Sequence, residues 1–548
     1  MYLTETIGQL LKDKAECLPG HEAVVYSKEG IRHTYQEFYE LTGKVAKALM
    51  ALGIQKGEHI AVWSTNRFEW LLLQFGSARM GAVLVTVNTS YQKNELDYLL
   101  KQSDSTTLFL MDQFRDTSYV KVVRSLLGSS IAPDGKVKAA QLPHLRQLVF
   151  MDNEAPEDFL GWDLFMELAK NVSDEQLMSR ESELHHDDVI NMQYTSGTTG
   201  FPKGVMLTHY NIVNNGYQVA GAMNLTENDR LCIPVPFFHC FGCVLGVLAC
   251  ASVGATMVPI DQFDPELVLR TVEKERCTGL HGVPTMFIAE LNLDSFDDYD
   301  LSTLRTGIMA GSPCPIEVMK KVINLMGMDE ITIAYGQTES SPVITQTRTN
   351  DPIERRVETV GKKHPIAEVK IVDPVTDEEV PSGTQGELCT KGYLVMKGYY
   401  KMPEDTAKAI DADGWLHTGD LATIDEEGYV SITGRLKDMI IRGGENVYPR
   451  EIEEFLYTHP AIVDVQVIGI PDEKYGEKVA ACIQVRDGEK VTTEDIKSYC
   501  DGKISRYKIP EYIFIVDEYP MTASGKIQKY KLREQVKKWA EESIRSVT

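Results

Sequence analysis

The stretch from Tyr194 to Val205, which reads YTSGTTGFPKGV, is suited to holding an anion. Glycines let the main chain approach a ligand closely, consecutive N–H groups form a concave nest, and hydroxyl and ammonium groups add further donors. The same residues compete with regular backbone pairing, so the run predicts a loop. The candidate phosphate ligands are Thr195, Ser196, Gly197, Thr198, Thr199, Gly200 and Lys203.

The neighbours of this glycine loop favour the same interpretation. An apolar, strand-like run from Asp188 to Tyr194 precedes it, and a helical pattern from Thr208 to Asn214 follows it. Strand, glycine loop and helix in that order predict a phosphate site, and a surface linker is the plainer alternative. The motif is not Walker A, because Lys203 precedes Gly204 and no Gly-Lys-Ser/Thr occurs. We therefore expect nucleotide chemistry other than that of P-loop NTPases.

Three further motifs carry side chains that suit a nucleotide. Thr338 and Glu339, in YGQTE, follow a predicted strand and could hold Mg²⁺ against phosphates. Asp420 ends WLHTGD, where a carboxylate could accept two ribose hydroxyls, and Arg435 offers a second contact to ribose or phosphate. Lys526 follows a Ser-Gly turn in MTASGK, where a solubilising surface lysine is the simpler explanation.

The elements that must position these motifs alternate between short apolar strands and amphipathic helices. The strands are predicted at 59–63, 82–86, 107–111, 279–283 and 306–310, and the helices at 69–80, 94–102 and 267–276. Continuous apolar strands between helices predict an α/β fold with doubly wound, parallel-type sheets covered on both faces. The uncharged stretch 241–260 is predicted as a buried helix and strand, since Gly254 and Pro259 interrupt it as a membrane span.

The domain organisation follows from a change of pattern along the chain. Beyond about residue 365, short alternating strands with tight turns predict a small antiparallel β-barrel over 365–434. The chain then becomes a compact α+β unit with a basic end. We expect a large domain over 1–434, a hinge at 435–437 and a small domain over 438–548. The length of 548 residues fits two or more domains.

The composition of the chain restricts the kinds of ligand and partner that it can bind. A net charge of −24 disfavours nucleic acids and anionic lipid, although a local positive pocket can still bind a nucleotide. The N-terminal segment lacks the basic and apolar regions of a signal peptide, and no stable membrane span is expected. The ten cysteines lie in mostly apolar surroundings, which favours reduced, buried thiols and a cytoplasmic location. The oligomeric state stays open, a homodimer being one option.

Five motifs together carry a family resemblance. YTSGTTGFPKGV, YGQTE, WLHTGD, GRLKDMIIRGGENVYP and PMTASGK stand in the order and spacing of the AMP-forming acyl-CoA synthetases. The chain resembles this adenylate-forming superfamily from about Glu22 to Lys529, and PFFHCFG is most similar to its medium-chain, acyl-CoA synthetase family member 2-like branch. The resemblance implies that a carboxylate and ATP form an acyl-adenylate and pyrophosphate, and that coenzyme A then displaces AMP. It leaves the physiological direction open.

The resemblance also implies a role for each motif. Thr195 to Gly200 with Lys203 would hold the β- and γ-phosphates, Thr338 the α-phosphate and Glu339 the Mg²⁺, with Thr195 a second metal candidate. The adenosine would be contacted by Gly311, Ser312, Pro313, Tyr335, Gly336, Gln337, Asp420 and Arg435. Lys526 would bridge the attacking carboxylate and the phosphate. A preorganised cation of this kind is worth roughly 3–4 kcal/mol.

A mobile C-terminal lid is a further implication of the resemblance. Lys437 falls at the hinge about which the lid would swing between an adenylation pose, which uses Lys526, and a thioester pose. The residues expected to line the passage for coenzyme A are Arg442, Gly443, Gly444 and Glu445. Glycines there would leave room for the thin pantetheine chain.

The acyl pocket is expected beside the phosphate site. Its expected lining residues are Phe237, Phe238, His239, Ala310 and Gly336. His239 follows Pro-Phe-Phe at the family's gating aromatic position, and an ordinary core histidine is the plainer alternative. No Asp or Glu lies between Leu231 and Ile260, so the ammonium of an amino acid would lack a counter-charge there. We therefore expect an apolar acid, either a medium-chain fatty acid or a cyclic or aromatic one.

Three other functions stay open on the sequence alone. The chain could load an acyl group onto a carrier protein, although no carrier-like segment follows Lys526. A luciferase-like oxygenase would use the same adenylate. A nucleotide-binding sensor without catalysis would have lost Lys526, Glu339 or the glycine loop, and all of them are present.

Overall fold

The computed structural model describes residues 2–152, 154–195, 202–312, 314–436, 438–442, 445–472, 475–486, 488–522 and 527–545. These residues form two large sheets of mostly parallel strands, one four-stranded antiparallel sheet, one smaller mixed sheet and a short two-stranded ribbon over 113–118. The α/β class predicted from the alternation of apolar strands and amphipathic helices is confirmed.

The helices begin at the polar capping residues that the sequence supplies. Thr34, for example, accepts a hydrogen bond from the N–H of Glu37 while the Glu37 side chain caps the N–H of Thr34. The α-helices of the described residues are α1 (Ile7–Cys17), α2 (Tyr35–Ala51), α3 (Phe68–Met80), α4 (Lys93–Gln102), α5 (Tyr119–Leu127), α6 (Trp162–Glu167), α7 (Asp174–Ser182), α8 (His209–Ala222), α9 (Ala249–Val253), α10 (Pro265–Glu275), α11 (Pro284–Leu291), α12 (Ile316–Met326), α13 (Ile353–Glu358), α14 (Pro403–Ala409), α15 (Pro449–Tyr457), α16 (Thr493–Cys500) and α17 (Lys529–Arg545).

The strands belong to both large and small sheets, and in the large sheets they are short and mostly buried on both faces. Those of the described residues, in chain order, are β1 (Glu22–Tyr26), β2 (Ile31–Thr34), β3 (His59–Trp63), β4 (Val83–Thr86), β5 (Thr107–Leu110), β6 (Gln113–Phe114), β7 (Thr117–Ser118), β8 (Gln147–Phe150), β9 (Leu160–Gly161), β10 (Val189–Thr195), β11 (Lys203–Thr208), β12 (Arg230–Ile233), β13 (Thr256–Pro259), β14 (Gly279–Gly282), β15 (Thr306–Met309), β16 (Glu330–Gly336), β17 (Val343–Gln346), β18 (Lys362–Lys363), β19 (Ala367–Val372), β20 (Gly386–Gly392), β21 (Gly398–Tyr399), β22 (Leu416–Ile424), β23 (Val430–Arg435), β24 (Ile440–Arg442), β25 (Glu445–Val447), β26 (Ile462–Asp472), β27 (Gly476–Val485) and β28 (Tyr512–Ile515).

The two large sheets share a core. One has the order β18-β17-β16-β15-β14-β12-β13-β1-β2, and the other β21-β11-β10-β4-β3-β5-β8-β9. Their central neighbours are parallel. Antiparallel pairs close both edges of the nine-stranded sheet and the β21 edge of the other sheet, whose β9 edge is parallel. Helix α3 is buried from Trp70 to Met80, and its apolar side chains join one cluster with residues of both sheets. Two polar side chains buried with it have partners, Arg79 in Glu181 and Gln74 in the carbonyl of Cys243.

The glycine loop lies between two strands, which corrects one prediction. β10 and β11 are antiparallel neighbours, and Thr195 faces Lys203 at the pair nearest the loop. Helix α8 begins only after β11, with Thr208 as its cap. The predicted strand–loop–helix order was therefore wrong. The helix predicted from Thr208 is confirmed as the start of α8, and the prediction missed only β11, which pairs with both β10 and β21.

The uncharged stretch 241–260 forms the predicted helix and strand. Phe241–Leu248 is a buried π-helical segment that continues into α9, and Gly254, with φ of +86°, ends the helix before β13. Among the helices of the described residues, none combines the length and apolarity needed to cross a bilayer. All ten cysteines are described as free thiols, and all except Cys17 are buried.

The later part of the chain forms the two remaining sheets. The region predicted as an antiparallel barrel is a four-stranded antiparallel sheet with the order β19-β20-β22-β23. The C-terminal sheet has the order β25-β24-β27-β26, with β28 parallel to β27. Helices α15, α16 and α17 accompany it. The limits 1–434 and 438–548 stay a prediction.

A buried carboxylate joins the edge of the nine-stranded sheet to α10. Glu275 lies 2.6 Å from Arg32 and 3.2 Å from Arg230, and Ser27 donates to it over 2.7 Å. Burial on its own would raise the pKa of Glu275, but hydrogen bonds from Ser27 and Arg32 lower it overall. Because the folded state holds the charged form, this group stabilises the fold above the ordinary carboxyl pKa.

We predict that Glu275→Gln lowers the free energy of unfolding by about 1–3 kcal/mol near pH 7. The difference from wild type should shrink as the pH falls well below the ordinary carboxyl pKa, because wild-type Glu275 then also becomes protonated. Urea denaturation at several pH values measures both effects. Glu266→Gln, which removes an exposed helix-surface pair with Arg270, is the control. A difference that is independent of pH would contradict the assignment.

Candidate active site

Lys203 stands at the edge of the eight-stranded sheet, directly after the glycine loop. Its ammonium lies 3.0 Å from Asp405 and 4.9 Å from the centre of the Tyr399 ring. The side chain is 13% exposed, so the ion pair with Asp405 supplies the counter-charge that a half-buried ammonium needs. Tyr98 fixes the approach to this strand by donating to the carbonyl of Pro202 over 3.0 Å.

Glu339 reaches the same tyrosine from the other large sheet. The Tyr399 hydroxyl donates to Oε1 of Glu339 over 2.9 Å, and the N–H of Met396 donates to its main-chain oxygen. Burial and the neighbouring carboxylate raise the pKa of Tyr399, which keeps the hydroxyl a donor. The predicted phosphate lysine and the predicted metal ligand thus meet at one side chain.

The turn that carries Glu339 is rigidly held. β16 ends at Gly336, and a 3₁₀ turn covers Thr338–Ser340 with Thr338 buried. A Cβ on Gly336 would lie 1.8 Å from the carbonyl oxygen of Pro342, so a side chain there would force the backbone apart. The next strand, β17, is held by buried Asn215 of α8. The Asn215 side chain donates to the carbonyl of Val343 and accepts from its N–H.

Asp420 forms a second cluster with the start of that motif. The Tyr335 hydroxyl donates to Oδ2 of Asp420 over 2.8 Å, and Nε of Arg435 lies 3.1 Å from Oδ1. Asp420 and Arg435 face each other across β22 and β23. Burial, together with the Asp420 charge, raises the pKa of Tyr335. Three residues predicted to contact adenosine are therefore neighbours.

Glu387 supports the turn before Asp420, a role that the motif analysis missed. Its Oε1 accepts the N–H of Gly419 over 2.8 Å, and its Oε2 lies 3.1 Å from Nδ1 of His417. Cys389, 3.4 Å from the same nitrogen, completes a group whose ligand atoms lie within 4.8 Å of one another. Burial raises the pKa of Cys389 to about 12. We interpret this group as a hydrogen-bonded support, because each side chain already has partners.

The residues predicted beside the adenine follow β15. Ala310 is buried, and Gly311 has φ of +92°, a conformation that favours glycine. The carbonyls of Met309 and Ser312 both accept from the Cys314 thiol. Gln337 lies in the turn after β16, where its N–H donates to the carbonyl of Pro342 and to the Ser340 hydroxyl.

Of the residues predicted for the acyl pocket, Phe237 to His239 lie between β12 and the π-helical segment, Ala310 directly follows β15, and Gly336 ends β16. Phe237 is fully buried, its N–H donates to Asn66 over 2.7 Å, and its ring packs 5.3 Å from Trp70. Phe237 and Ala310 belong to one apolar cluster, and Phe238 is buried. His239 is half-buried, and its Nδ1 accepts the N–H of Phe241 over 3.3 Å.

Arg442, predicted to contact coenzyme A, is anchored within the C-terminal part. It donates to the carbonyl of Tyr507 over 2.8 Å and lies 3.2 Å from Glu511. For Glu445 only the backbone is described, as the start of β25. The predicted site residues outside the described residues are Ser196, Gly197, Thr198, Thr199, Gly200, Pro313, Lys437, Gly443, Gly444 and Lys526.

Sequence reasoning missed Tyr399 and Asp405 as well as Glu387. Tyr399 lies in GYYK, directly after a glycine, and Asp405 lies in the first turn of α14. Both features are common in surface loops, so neither signals a site. Only the pairing of β21 with β11 brings these two residues to Lys203.

Two family models match the chain. "AMP-binding enzyme" matches residues 11–400, and "AMP-binding enzyme C-terminal domain" matches residues 451–526. The first model alone covers more than half of the chain.

Relatives and a solved structure match along almost the full length. The protein YngI of Bacillus subtilis (strain 168) is 62% identical over 96% of this chain and 96% of its own. The mitochondrial medium-chain acyl-CoA ligase ACSF2 of Danio rerio is 44% identical over 98% of this chain and 89% of its own. The crystal structure of the anthranilate CoA ligase AuaEII in complex with anthranoyl-AMP gives a TM-score of 0.86 at 26% identity, covering 99% of both chains. The chain belongs to the AMP-binding enzyme family, and within it to the AMP-forming acyl-CoA synthetases.

Proposed function

We propose that this protein is an ATP-dependent ligase that activates an apolar, medium-chain carboxylic acid to its acyl-adenylate and then transfers the acyl group to coenzyme A. One observation carries the assignment of the site. The short motif from Tyr335 to Glu339 contacts Asp420 at its first residue and Tyr399, beside Lys203, at its last. Nucleoside and phosphate partners therefore converge on a single turn.

The donor set at this turn fits a magnesium ion. Glu339 offers a half-buried carboxylate, and Mg²⁺ is usually held by one or two carboxylates, phosphate oxygens and water. Bound there, Mg²⁺ would neutralise negative charge on the phosphates of ATP. Thr195, at the end of β10, stays a second candidate ligand.

The chain's own residues would divide the remaining work. Lys203 would exchange its pairing with Asp405 for the phosphates, and Thr338 would donate to the α-phosphate. Asp420, oriented by Tyr335, would accept the ribose hydroxyls, and Arg435 lies beside it. Lys526 would stabilise the charge that develops as the carboxylate attacks. Lys437 as hinge and residues 442–445 as the coenzyme A passage are part of the same proposal.

An apolar acid fits the surroundings of the predicted pocket. Phe237 and Ala310 share an apolar cluster with Val244, Val283 and Val343. The segment 231–260 contains no Asp or Glu that could pair with a substrate ammonium. The ACSF2 relatives are named for medium-chain acids, which supports the fatty acid. AuaEII, named for anthranilate, keeps an aromatic acid as the second candidate. His239, half-buried and two residues after Phe237, would gate the pocket.

The acid and the acceptor can be identified together. We expect pyrophosphate release to peak among apolar acids in a panel from acetate through dodecanoate, with benzoate, cyclohexane carboxylate and amino acids, and to depend on coenzyme A. Each acid is assayed with ATP, with and without coenzyme A. Release that coenzyme A does not accelerate would favour loading of a carrier protein. No release with any acid would contradict the proposed ligase.

We predict that Tyr335→Phe weakens AMP binding by about tenfold or more, because a hydrogen bond to a charged group contributes roughly 1.5–3 kcal/mol. The phenyl ring keeps its packing, so the loss reports on the orientation of Asp420. Isothermal titration calorimetry with AMP measures it. Tyr429→Phe removes a similar bond, 2.9 Å to Asp351, and should leave AMP binding unchanged. Equal effects of both variants would refute the ribose assignment.

The role of Lys526 can be separated by half-reaction. Lys526→Ala should slow acyl-adenylate formation by about 10²–10³-fold, because one preorganised cation is lost. Thioester formation from supplied acyl-adenylate should stay near the wild-type rate. Stopped-flow measurement of each half-reaction checks this, with the exposed Lys531→Ala as control. Loss of both half-reactions would contradict separate lid poses.

A further inference from the structure

We propose that Tyr399 is a positioning residue that orients both Glu339 for the metal and Lys203 for the phosphates. This inference rests on the proposed function. Tyr399 lies outside the sequence motifs, and it contacts two charged side chains, Glu339 and Lys203, that come from different sheets.

The backbone contacts of Tyr399 fix the position from which its side chain extends. It is 9% exposed and ends β21, where it pairs with Val205 of β11, two residues after Lys203. Its N–H donates to Thr406 over 2.9 Å. Preceding Gly398 has φ of +137°, and a Cβ there would lie 2.9 Å from the Thr406 side chain. Strand and helix contacts therefore set the direction of the ring.

The hydroxyl selects one oxygen of the Glu339 carboxylate. It donates to Oε1 over 2.9 Å, and among the described residues Oε2 has no hydrogen-bond partner. A carboxylate fixed at one oxygen presents the other to a cation as a single ligand. Mg²⁺ demands near-ideal octahedral geometry, so a defined direction of that oxygen matters for binding. Hydrogen bonds to ligating carboxylates have this orienting effect in metal sites generally.

The ring acts on Lys203 from the same position. The ammonium lies 4.9 Å from the ring centre and 3.0 Å from Asp405. A cation–π contact with Tyr399 and an ion pair with Asp405 therefore both hold it in position. Lys203 and Glu339 have opposite charges, yet each has its own partner in this arrangement. Tyr399 thereby keeps the lysine available for phosphate and the carboxylate available for the metal.

The test uses Tyr399→Phe, which removes the hydroxyl and keeps the ring. Affinity for Mn²⁺ in the presence of the α,β-methylene analogue of ATP, measured by electron paramagnetic resonance, should fall by about 10–100-fold. AMP binding without metal should be unchanged, as should thioester formation from supplied acyl-adenylate. Tyr400→Phe is the matched control, because that hydroxyl donates to Asp104 over 3.0 Å, away from Glu339.

A double-mutant cycle separates positioning from a general structural effect. If Tyr399 acts through Glu339, Tyr399→Phe should have no further effect on Mn²⁺ affinity in a Glu339→Gln background. Additive effects, or a Tyr399→Phe protein with wild-type Mn²⁺ affinity, would overturn the inference. Wild-type protein that binds the Mn²⁺–analogue pair but fails to release pyrophosphate would instead refute the proposed reaction while leaving the positioning role supported.

Discussion

The antiparallel pairing of β10 with β11 is the constraint on which the site depends. β10 also pairs in parallel with β4 inside the eight-stranded sheet, and β11 pairs with β21 at its edge. Each of the two strands that flank the glycine loop is therefore also paired with a further strand, β10 with β4 and β11 with β21. Lys203 takes its position from the same ladder as Tyr399.

The sequence predicted the elements better than their connections. Apolar runs such as 59–63 and 107–111 predict buried parallel strands because only a covered sheet accommodates them. β11 was missed because it is short, includes Gly204, and is followed by the helical pattern of α8. The motifs supplied Tyr335, Asp420, Arg435, Lys203 and Glu339 as candidates. Their partners Tyr399, Asp405 and Glu387 depend on strand register between distant segments, which local patterns do not encode.

The electrostatics of the site explain how an acidic protein can bind an acidic ligand. The chain carries a net charge of −24, yet the mostly buried Lys203 is paired with Asp405 and the exposed Arg435 with Asp420. The pair at Lys203 avoids the cost of burying a lone charge before a ligand arrives. A nucleotide replaces or joins these partners locally, so the long-range repulsion of the surface is opposed by short-range contacts. The same arrangement disfavours extended polyanions, which would meet the acidic surface over many residues.

The short turn from Tyr335 to Glu339 connects two clusters of predicted site residues, one around Asp420 and one around Tyr399. One end contacts Asp420, the proposed ribose ligand, and the other end carries Glu339, the proposed metal ligand, while the buried Thr338 and the crowded Gly336 restrict the backbone between them. If both assignments hold, nucleoside recognition and metal recognition depend on one backbone conformation. By thermodynamic reciprocity, whatever the nucleoside contributes to ordering this turn for the cation, the cation returns in equal measure to the nucleoside. Cooperativity of this kind needs no second conformation of the domains, only a turn too short to respond to one ligand alone.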